Sequence, residues 1–499
     1  MDRKVYCACD SDFTSHFKQQ AGKGFDDITI YRGQPYQRGY GFGSIFRRIG
    51  IPILKFFGKE LLKTGINVGK DVLDDKKFKE ALKTRGKEGI RSAAKRGLSE
   101  IESAFDQQGS GFKTIDSSYE VEYRPNASLD NGASFEINVP ASDDFTDLQA
   151  TMLHLLVSVT TEDGKPIGEV NKVRPVANFA NAIFEQIDLF LGSINTSPAN
   201  NMYHYQALLE DELFRFPTAA DTGRMEIADE DRIKNKNFDL FFRLHLPLCE
   251  QDKLIMSAVP IAFRFTKSSD GFALVRSDDK KYKIKINYVS LHIKRVKLFP
   301  DAALSVIKGL ETAPAKYFIT RNETRCFTIG PNLSAAAVEN VFSGILPRRV
   351  IIGFVDEAAF SGSYDDDPFI FKNYNINFLA LYVDGNMIPS IPYTPNFTEG
   401  FCMREFVNLY RFMNQDEGHP QMQITYDQFK ENRTLFAFDL SPDGSIGAEN
   451  GTLSLIRRGI IRLQVKFSRS IAQPIKAIIF GQFDNLITID ENRTVTLDY

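Results

Sequence analysis

Residues 186–193 read QIDLFLGS, and residues 377–385 read NFLALYVDG. Each is a short apolar run bounded by Gly, Asn or Asp, which is typical of a β-strand. Five other pairs of strand-like segments recur in the same order, roughly 190 to 200 residues apart: FEINVP at 135 and CFTIGP at 326, LLVSVT at 155 and RVIIGFV at 349, FDLFFRLHLPL at 238 and LFAFDLSPDG at 435, PIAFRFTKS at 260 and IIRLQVKFSRS at 460, and the strand at 283 and IKAIIFGQFDN at 475. This nearly constant separation predicts two similar all-β units in tandem.

The length of each unit narrows the fold class. After about residue 118 helical periodicity is scarce, and segments such as KYKIKINYVSLHIKRVKL at 281–298 alternate apolar and polar side chains, as half-buried strands do. A unit of about 180 residues is too long for a seven-stranded sandwich and suits an eight-stranded jelly roll with long loops. The sequence therefore predicts a mainly β chain with two tandem jelly rolls, preceded by a basic, partly helical arm.

Charge separates the front of the chain from the remainder. The net charge is -3 over 499 residues, but residues 38 to 98 hold 16 Lys or Arg against 6 Asp or Glu, which is +10 and leaves -13 elsewhere. A basic segment of this kind attracts phosphates and anionic lipid head groups. We expect four regions, listed in order: a leader at 1–37, a basic amphipathic arm at 38–110, a first jelly roll at 111–312 and a second at 313–499.

The arm begins with SIFRRIGIPILKFFGKELLK at residues 44–63, which is amphipathic at helical spacing. Its apolar side includes Phe46, Ile49, Ile53 and Phe57, and its cations are Arg47, Arg48, Lys55, Lys59 and Lys63. Cations in nearly every turn exclude a membrane span, and Pro52 predicts a kink or a fresh helix start. The segment is a candidate for binding DNA, a membrane surface or a partner, and the alternative is a surface helix packed on its own domain.

Motifs for catalysis or metal binding are missing from the sequence. None of the six histidines has metal-ligand spacing, and His154, His245 and His292 fall within predicted strands, where a structural role is favoured. The run Asp365, Asp366 and Asp367 would suit a cation, but calcium-loop spacing is absent and a solvated loop is favoured. Five scattered cysteines and an amino terminus without a secretory signal favour reduced thiols in an intracellular setting. We expect no enzyme activity, no metal and no cofactor.

Several segments of the two predicted jelly rolls resemble one protein family. FEINVPASDDFTDLQATMLHLLVSV, FEQIDLFLGS and, above all, LPRRVIIGFVDEAAFSG followed by FKNYNINFLALYVDG are similar to capsid proteins of Polinton/Maverick elements and the related adintoviruses. The resemblance implies a double jelly-roll major capsid protein, three copies of which form a pseudo-hexagonal capsomer of an icosahedral shell around double-stranded DNA. It also implies synthesis in the host cytoplasm, assembly in the nucleus, a place in the virion and a penton-type minor capsid protein as a partner.

The front segment resembles a second group of proteins. YRGQPYQRGYGFGSIFRRIGIPILKFFGKELLKTGINVGKDVL is similar to small basic proteins of the capsid interior, which implies binding to packaged DNA or disruption of an endosomal membrane. QAGKGF at 20–25 and QQGSGF at 107–112 resemble sites of adenovirus-type maturation proteases. This resemblance implies cleavage between Lys23 and Gly24 and between Ser110 and Gly111.

Three alternatives stay open from the sequence. A minor, penton-type capsid protein usually has a single jelly roll, so the doubled pattern disfavours it. A non-viral β-sandwich binding or lectin-like module with a basic tail would have a shallow polar ligand site and no trimer. A carbohydrate-active enzyme on a jelly-roll frame would need two carboxylates facing into a groove.

Overall fold

The computed structural model describes residues 114–126, 134–167, 172–214, 237–413, 422–441 and 457–498. The predicted leader at 1–37 and arm at 38–110 lie outside these residues. Among the described residues, no helix has both the length and the apolar character required to cross a membrane.

The first half of the described chain forms two facing four-stranded antiparallel sheets, which we call the first roll. Its strands are β1 (Ile115–Tyr123), β2 (Ser134–Val139), β3 (Phe145–Thr161), β5 (Phe184–Leu191), β6 (Ile194–Asn195), β7 (Asn237–Arg243), β8 (Ile261–Lys267) and β10 (Tyr282–Leu298). One sheet has the order β1-β10-β3-β7, and the other has the order β2-β8-β5-β6. A short ribbon of β4 (Val173–Pro175) and β9 (Leu274–Arg276) is added. If the eight strands are numbered along the chain, these orders are 1-8-3-6 and 2-7-4-5, which is the jelly-roll topology.

The second half, the second roll, repeats this topology strand for strand. Its strands are β11 (Ala315–Ile329), β12 (Ala335–Ile345), β13 (Arg349–Asp356), β14 (Ile376–Val383), β15 (Asn386–Tyr393), β16 (Leu435–Asp439), β17 (Arg458–Phe467) and β18 (Ile475–Ile489). The sheets have the orders β11-β18-β13-β16 and β12-β17-β14-β15, and β19 (Val495–Leu497) pairs with β18. The predicted fold class, a mainly β chain with two eight-stranded jelly rolls, is therefore observed.

Five of the six sequence pairs occupy equivalent strands of the two rolls, and one pairing is wrong. FEINVP lies in β2, the second strand of the first roll, whereas CFTIGP ends β11, the first strand of the second roll. The structural counterpart of β2 is β12, whose sequence AAAVENVFSGI alternates poorly and carries a register shift between Val338 and Phe342. The strand signal of β12 is weak because most of its residues are exposed or half-buried.

Eight helices lie between the described strands. They are α1 (Phe179–Ala182), α2 (Tyr203–Phe214), α3 (Pro247–Glu250), α4 (Asp270–Ala273), α5 (Pro300–Thr312), α6 (Glu357–Phe360), α7 (Met403–Phe412) and α8 (Tyr426–Glu431). Helix α5 connects the last strand of the first roll to the first strand of the second, and Pro300 at its first turn suits a helix start.

The burial of β13 shows where the two rolls meet. Seven of its eight residues are buried. Val350, Ile352 and Phe354 pack in the core between the sheets of the second roll. Arg349, on the other face, lines a cavity shared with the first roll. The strand is nearly continuous in apolar residues because both of its faces are covered.

Candidate functional site

Helix α2 is the element that joins the two rolls. Ten of its twelve residues are buried, including His204, Gln206, Glu210 and Asp211. A surface helix buries one stripe of side chains, whereas a helix buried on all sides has neighbours all around it. In this chain α2 packs against β5 of the first roll and β11 of the second. The junction of the two rolls is therefore organised around this helix.

Aromatic packing holds the beginning of α2. Tyr205 is fully buried, and its ring lies 5.4 Å from Phe369 and 5.8 Å from Phe360, both of the second roll. Its hydroxyl donates a hydrogen bond to the carbonyl oxygen of Pro368, at 2.9 Å. His204 stacks on Phe272 of the first roll with ring centroids 4.0 Å apart. Each roll thus contributes rings to the cluster around this turn of helix.

A buried polar network surrounds the middle of α2. The carboxylate of Glu210 accepts hydrogen bonds from Gln206 Nε2 at 2.9 Å and from Asn322 Nδ2 of the second roll at 2.7 Å, and its other oxygen lies 2.8 Å from His245 Nδ1. His245 Nε2 lies 3.2 Å from Asp211 Oδ1. Both ring nitrogens therefore face carboxylate oxygens of α2. Paired and hydrogen-bonded charges are the form in which carboxylates are tolerated in an interior.

The same network contains the one group of three metal-type ligands found among the described residues. Ligand atoms of Glu210, His245 and Glu250 lie within 4.8 Å of one another. The 2.8 Å between His245 Nδ1 and Glu210 Oε2 is a hydrogen-bond distance. Sequence spacing could not reveal this group, because its residues come from α2, the segment after β7 and α3. The predicted place of His245 within a strand is wrong, because β7 ends at Arg243.

Further polar contacts cross the junction along its length. Arg433 Nε pairs with Glu212 Oε1 at 3.0 Å, and Asn200 Nδ2 donates to the carbonyl oxygen of Thr324 at 2.7 Å. Two more contacts use carbonyl oxygens of the first roll as acceptors: the Tyr317 hydroxyl donates to Leu254 at 3.1 Å, and Arg493 Nε donates to Ser257 at 2.8 Å. Hydrogen bonds therefore connect the rolls both at α2 and away from it.

The acidic loop that would have suited a cation is instead part of this junction. Arg276 of the first roll donates from Nε to Asp365 Oδ1 at 2.9 Å, and this contact lowers the pKa of Asp365. Arg174 of the first roll lies 3.5 Å from Asp367. The loop carboxylates thus interact with arginines across the junction.

Backbone meets backbone at one point of the junction. A Cβ atom placed on Gly271 of α4 would lie 2.1 Å from the carbonyl oxygen of Gly362, which follows α6. Gly362 has a φ of +86°, and a Cβ there would lie 2.3 Å from Ser269 Oγ. Glycine is required at both positions, because any side chain would push the rolls apart.

Exposed apolar side chains gather on one edge of the second roll. Ile391 and Phe401 are each 69% exposed, and Met403 and Val407 lie one turn apart on α7 with about half of their surface exposed. Arg404 donates to the carbonyl oxygen of Ile391 at 2.7 Å, which places α7 beside β15. We call Ile391, Phe401, Met403 and Val407 the apolar patch.

The predicted functional residues of the arm and the predicted cleavage sites lie outside the described residues. They are Phe46, Arg47, Arg48, Ile49, Ile53, Lys55, Phe57, Lys59 and Lys63, with Lys23, Gly24, Ser110 and Gly111.

The strand orders define a double jelly-roll fold, and solved structures share it. A chain of the PBCV-1 virus capsid superposes with a TM-score of 0.53 and 10% identity, covering 78% of this chain and 98% of that one. PBCV-1 VP54, fitted into a reconstruction of the virophage Sputnik, superposes with a TM-score of 0.52 and 10% identity, covering 78% of this chain and 98% of that one. The Faustovirus major capsid protein superposes with a TM-score of 0.50 and 8% identity, covering 76% of this chain and 91% of that one. At these identities the likeness establishes the fold.

Comparison of sequences gives a more limited result. No family model matches the chain. A Caenorhabditis elegans protein described as "Uncharacterized protein F54H12.2" is 20% identical over 387 residues, which is 71% of this chain and 90% of that protein.

We expect His245→Leu to lower the free energy of unfolding by about 3–5 kcal/mol, because it leaves the buried carboxylates of Glu210 and Asp211 without their shared partner. The matched control is His292→Leu, whose partner Glu120 is exposed, so that loss should stay below about 1 kcal/mol. Urea unfolding of both variants measures the difference, and equal losses would contradict the role of the network.

A second prediction concerns acid. Burial lowers the pKa of His204 from 6.5 to about 3, and the backbone N–H of Tyr205 donates to its Nδ1, which requires the neutral ring. Between these pKa values the unfolded chain binds a proton that the folded chain does not. The free energy of unfolding should therefore fall as the pH drops below about 6.5, by up to about 1.4 kcal/mol per pH unit.

The variant His204→Asn tests this pH dependence, because Asn keeps an acceptor and does not titrate. Its unfolding free energy, measured by urea titration from neutral pH down to about pH 4, should fall less steeply than that of the wild type. Parallel pH dependences of the two proteins would rule out the contribution of His204.

Proposed function

We propose that this chain is a major capsid protein that forms trimeric, pseudo-hexagonal capsomers of an icosahedral shell around double-stranded DNA. The observation that carries the proposal is the duplicated jelly roll, with the two copies held together through α2. Three such chains place six similar walls around one axis, which approximates hexagonal symmetry. The fold shared with viral capsid proteins supports a structural role, and the proposed function is not enzymatic.

The apolar patch is the proposed contact surface for neighbouring chains in the trimer. Contiguous exposed apolar surface is unusual on a monomer and is typical of an interaction site. Val407 and Met403 on α7 present this surface beside β15. We expect interfaces that bury well over about 2,000 Å², the range of obligate contacts.

The finer assignments rest on sequence resemblance. We propose that the chain belongs to the Polinton/Maverick and adintovirus lineage, which is supported by LPRRVIIGFVDEAAFSG and FKNYNINFLALYVDG in and around β13 and β14. The proposal includes a penton-type minor capsid protein as partner, synthesis in the host cytoplasm, nuclear assembly and a place in the virion. The proposed organisation is the leader at 1–37, the arm at 38–110 and rolls bounded at 111–312 and 313–499.

The proposed arm projects toward the shell interior. The net charge of +10 at residues 38–98 suits neutralisation of packaged DNA, and the amphipathic start of the arm suits an endosomal membrane surface after release. Both targets are anionic, so the charge alone does not separate them. A maturation protease is the proposed partner that releases the arm.

Two rival functions are weighed against this one. The second roll argues against a penton-type protein, which usually has a single jelly roll. A β-sandwich binding module with a basic tail would act as a monomer through a shallow ligand site. The oligomeric state therefore separates the main proposal from this module.

We expect the full chain and the chain of residues 111–499 both to run as trimers in size-exclusion chromatography with light scattering. DNA or anionic liposomes should bind the full chain alone, because the arm carries the charge. Val407→Asp should weaken the trimer by placing a charge in the apolar patch, while Leu304→Asp, at a residue of α5 with similar exposure, serves as the matched control. Monomers from both unsubstituted chains would move the binding module to first place.

Cleavage at Lys23-Gly24 and Ser110-Gly111 is tested by intact-mass spectrometry of assembled particles. We expect a shell chain that begins at Gly111 and a separate peptide that spans residues 24–110. Particles that contain uncut chains alone would reject the maturation step.

A further inference from the structure

A cavity of about 510 Å³ lies between the two rolls, beside α2. Strands β3 and β7 line it from the first roll, and β11, β13 and β18 line it from the second. The lining residues that matter here are Thr151, Arg243, Arg348, Arg349 and Gln482. Three of these five are arginines, contributed by both rolls, so a ligand in the cavity would touch both.

Arg349 is the unusual member of this group. It is 94% buried, and none of the described carboxylates pairs with it within 4.0 Å. Its Nη1 is 3.4 Å from Gln482 Oε1, and its Nε has no hydrogen-bond partner. Burial and the neighbouring Arg348 lower the pKa of Arg349 to about 9. Asp439, opposite Arg349 in the β13–β16 pair, and the Phe214 ring, 5.1 Å from the guanidinium carbon, offset part of the cost of burial. The unsatisfied Nε remains costly, because this donor has lost water without gaining a partner.

A second buried donor points into the same cavity. Thr151 is 1% exposed, and its Oγ1 has no partner. The guanidinium of Arg348 pairs with Asp484 at 3.1 Å and donates a hydrogen bond to Gln482 at 3.1 Å. Unsatisfied buried donors on both walls therefore face a space of ligand size.

Two acidic residues, Glu210 and Glu250, line the cavity together with the three arginines. The oxygens of Glu210 are engaged by Gln206, Asn322 and His245. Three arginines against two glutamates leave the lining with a net positive charge.

We propose that this cavity binds a small tetrahedral oxyanion of the phosphate class, anchored by Arg349 and held by Arg348 and Thr151. A guanidinium presents parallel N–H donors that match two oxygens of such an anion, and a hydroxyl donates to a third. Thr151 comes from the first roll and both arginines come from the second. The bound anion therefore stabilises the junction of the rolls.

The experiment measures thermal unfolding of the full chain against increasing inorganic phosphate at neutral pH, with sodium chloride holding the ionic strength constant. A ligand of the folded state raises the unfolding temperature in a saturable manner. Sulfate should act like phosphate, and acetate should not. Isothermal titration calorimetry with phosphate should give one site per chain.

Two variants identify the site. Arg349→Met keeps a side chain of similar length and should abolish the phosphate response, because it removes the charged anchor. Thr151→Val keeps the side-chain shape and should weaken phosphate binding about tenfold through the loss of one donor to a charged ligand. The matched control is Arg264→Met on β8, whose guanidinium is exposed and pairs with Glu136; it should keep the full response.

Three results would overturn the proposal. One is an equal temperature shift from chloride at matched ionic strength. Another is an unchanged phosphate response in Arg349→Met. The third is equal stabilisation by acetate, which would show that the cavity does not select a tetrahedral anion. None of these outcomes depends on whether the chain assembles into a shell.

Discussion

The complete burial of α2 between two β-sandwich units is the constraint on which the remaining architecture depends. Each roll has its own core, but nearly all residues of the helix are buried between the rolls. Its polar side chains therefore need hydrogen-bond partners from both units. Asn322 supplies one of these partners from the second roll, and His245 supplies another from the first. The rolls consequently meet through a defined polar and aromatic junction, rather than through a flexible linker.

The strands of this chain were more predictable from sequence than its junction. Period-2 alternation and apolar runs located equivalent strands in both rolls, because such patterns record which residues face a core. Strand β12 was misaligned because its side chains are largely exposed. Helix α2 was missed for the opposite reason. Apolar and polar residues are mixed all around the helix YHYQALLEDELF, so it has no amphipathic stripe, although good helix formers dominate its sequence.

The candidate sites show the same division. Charge and amphipathicity revealed the basic segment at 38–98, since these are properties of neighbouring residues. The contact of Glu210 with His245, and the cavity around Arg349, join residues far apart in the chain. Contacts between residues far apart in the chain leave no pattern in the local sequence. A histidine or an arginine within an apolar run was the signal available, and it is compatible with many surroundings.

The approach of Gly271 to Gly362 has a mechanical consequence. Where two backbones touch, without side chains between them, a displacement of one roll against the other at this point opens the contact. As long as the pair of rolls keeps this contact, the proposed shell would take its curvature from the angles between neighbouring molecules. Its flat and bent regions would then differ in the outer contacts of the chain and not in its internal shape.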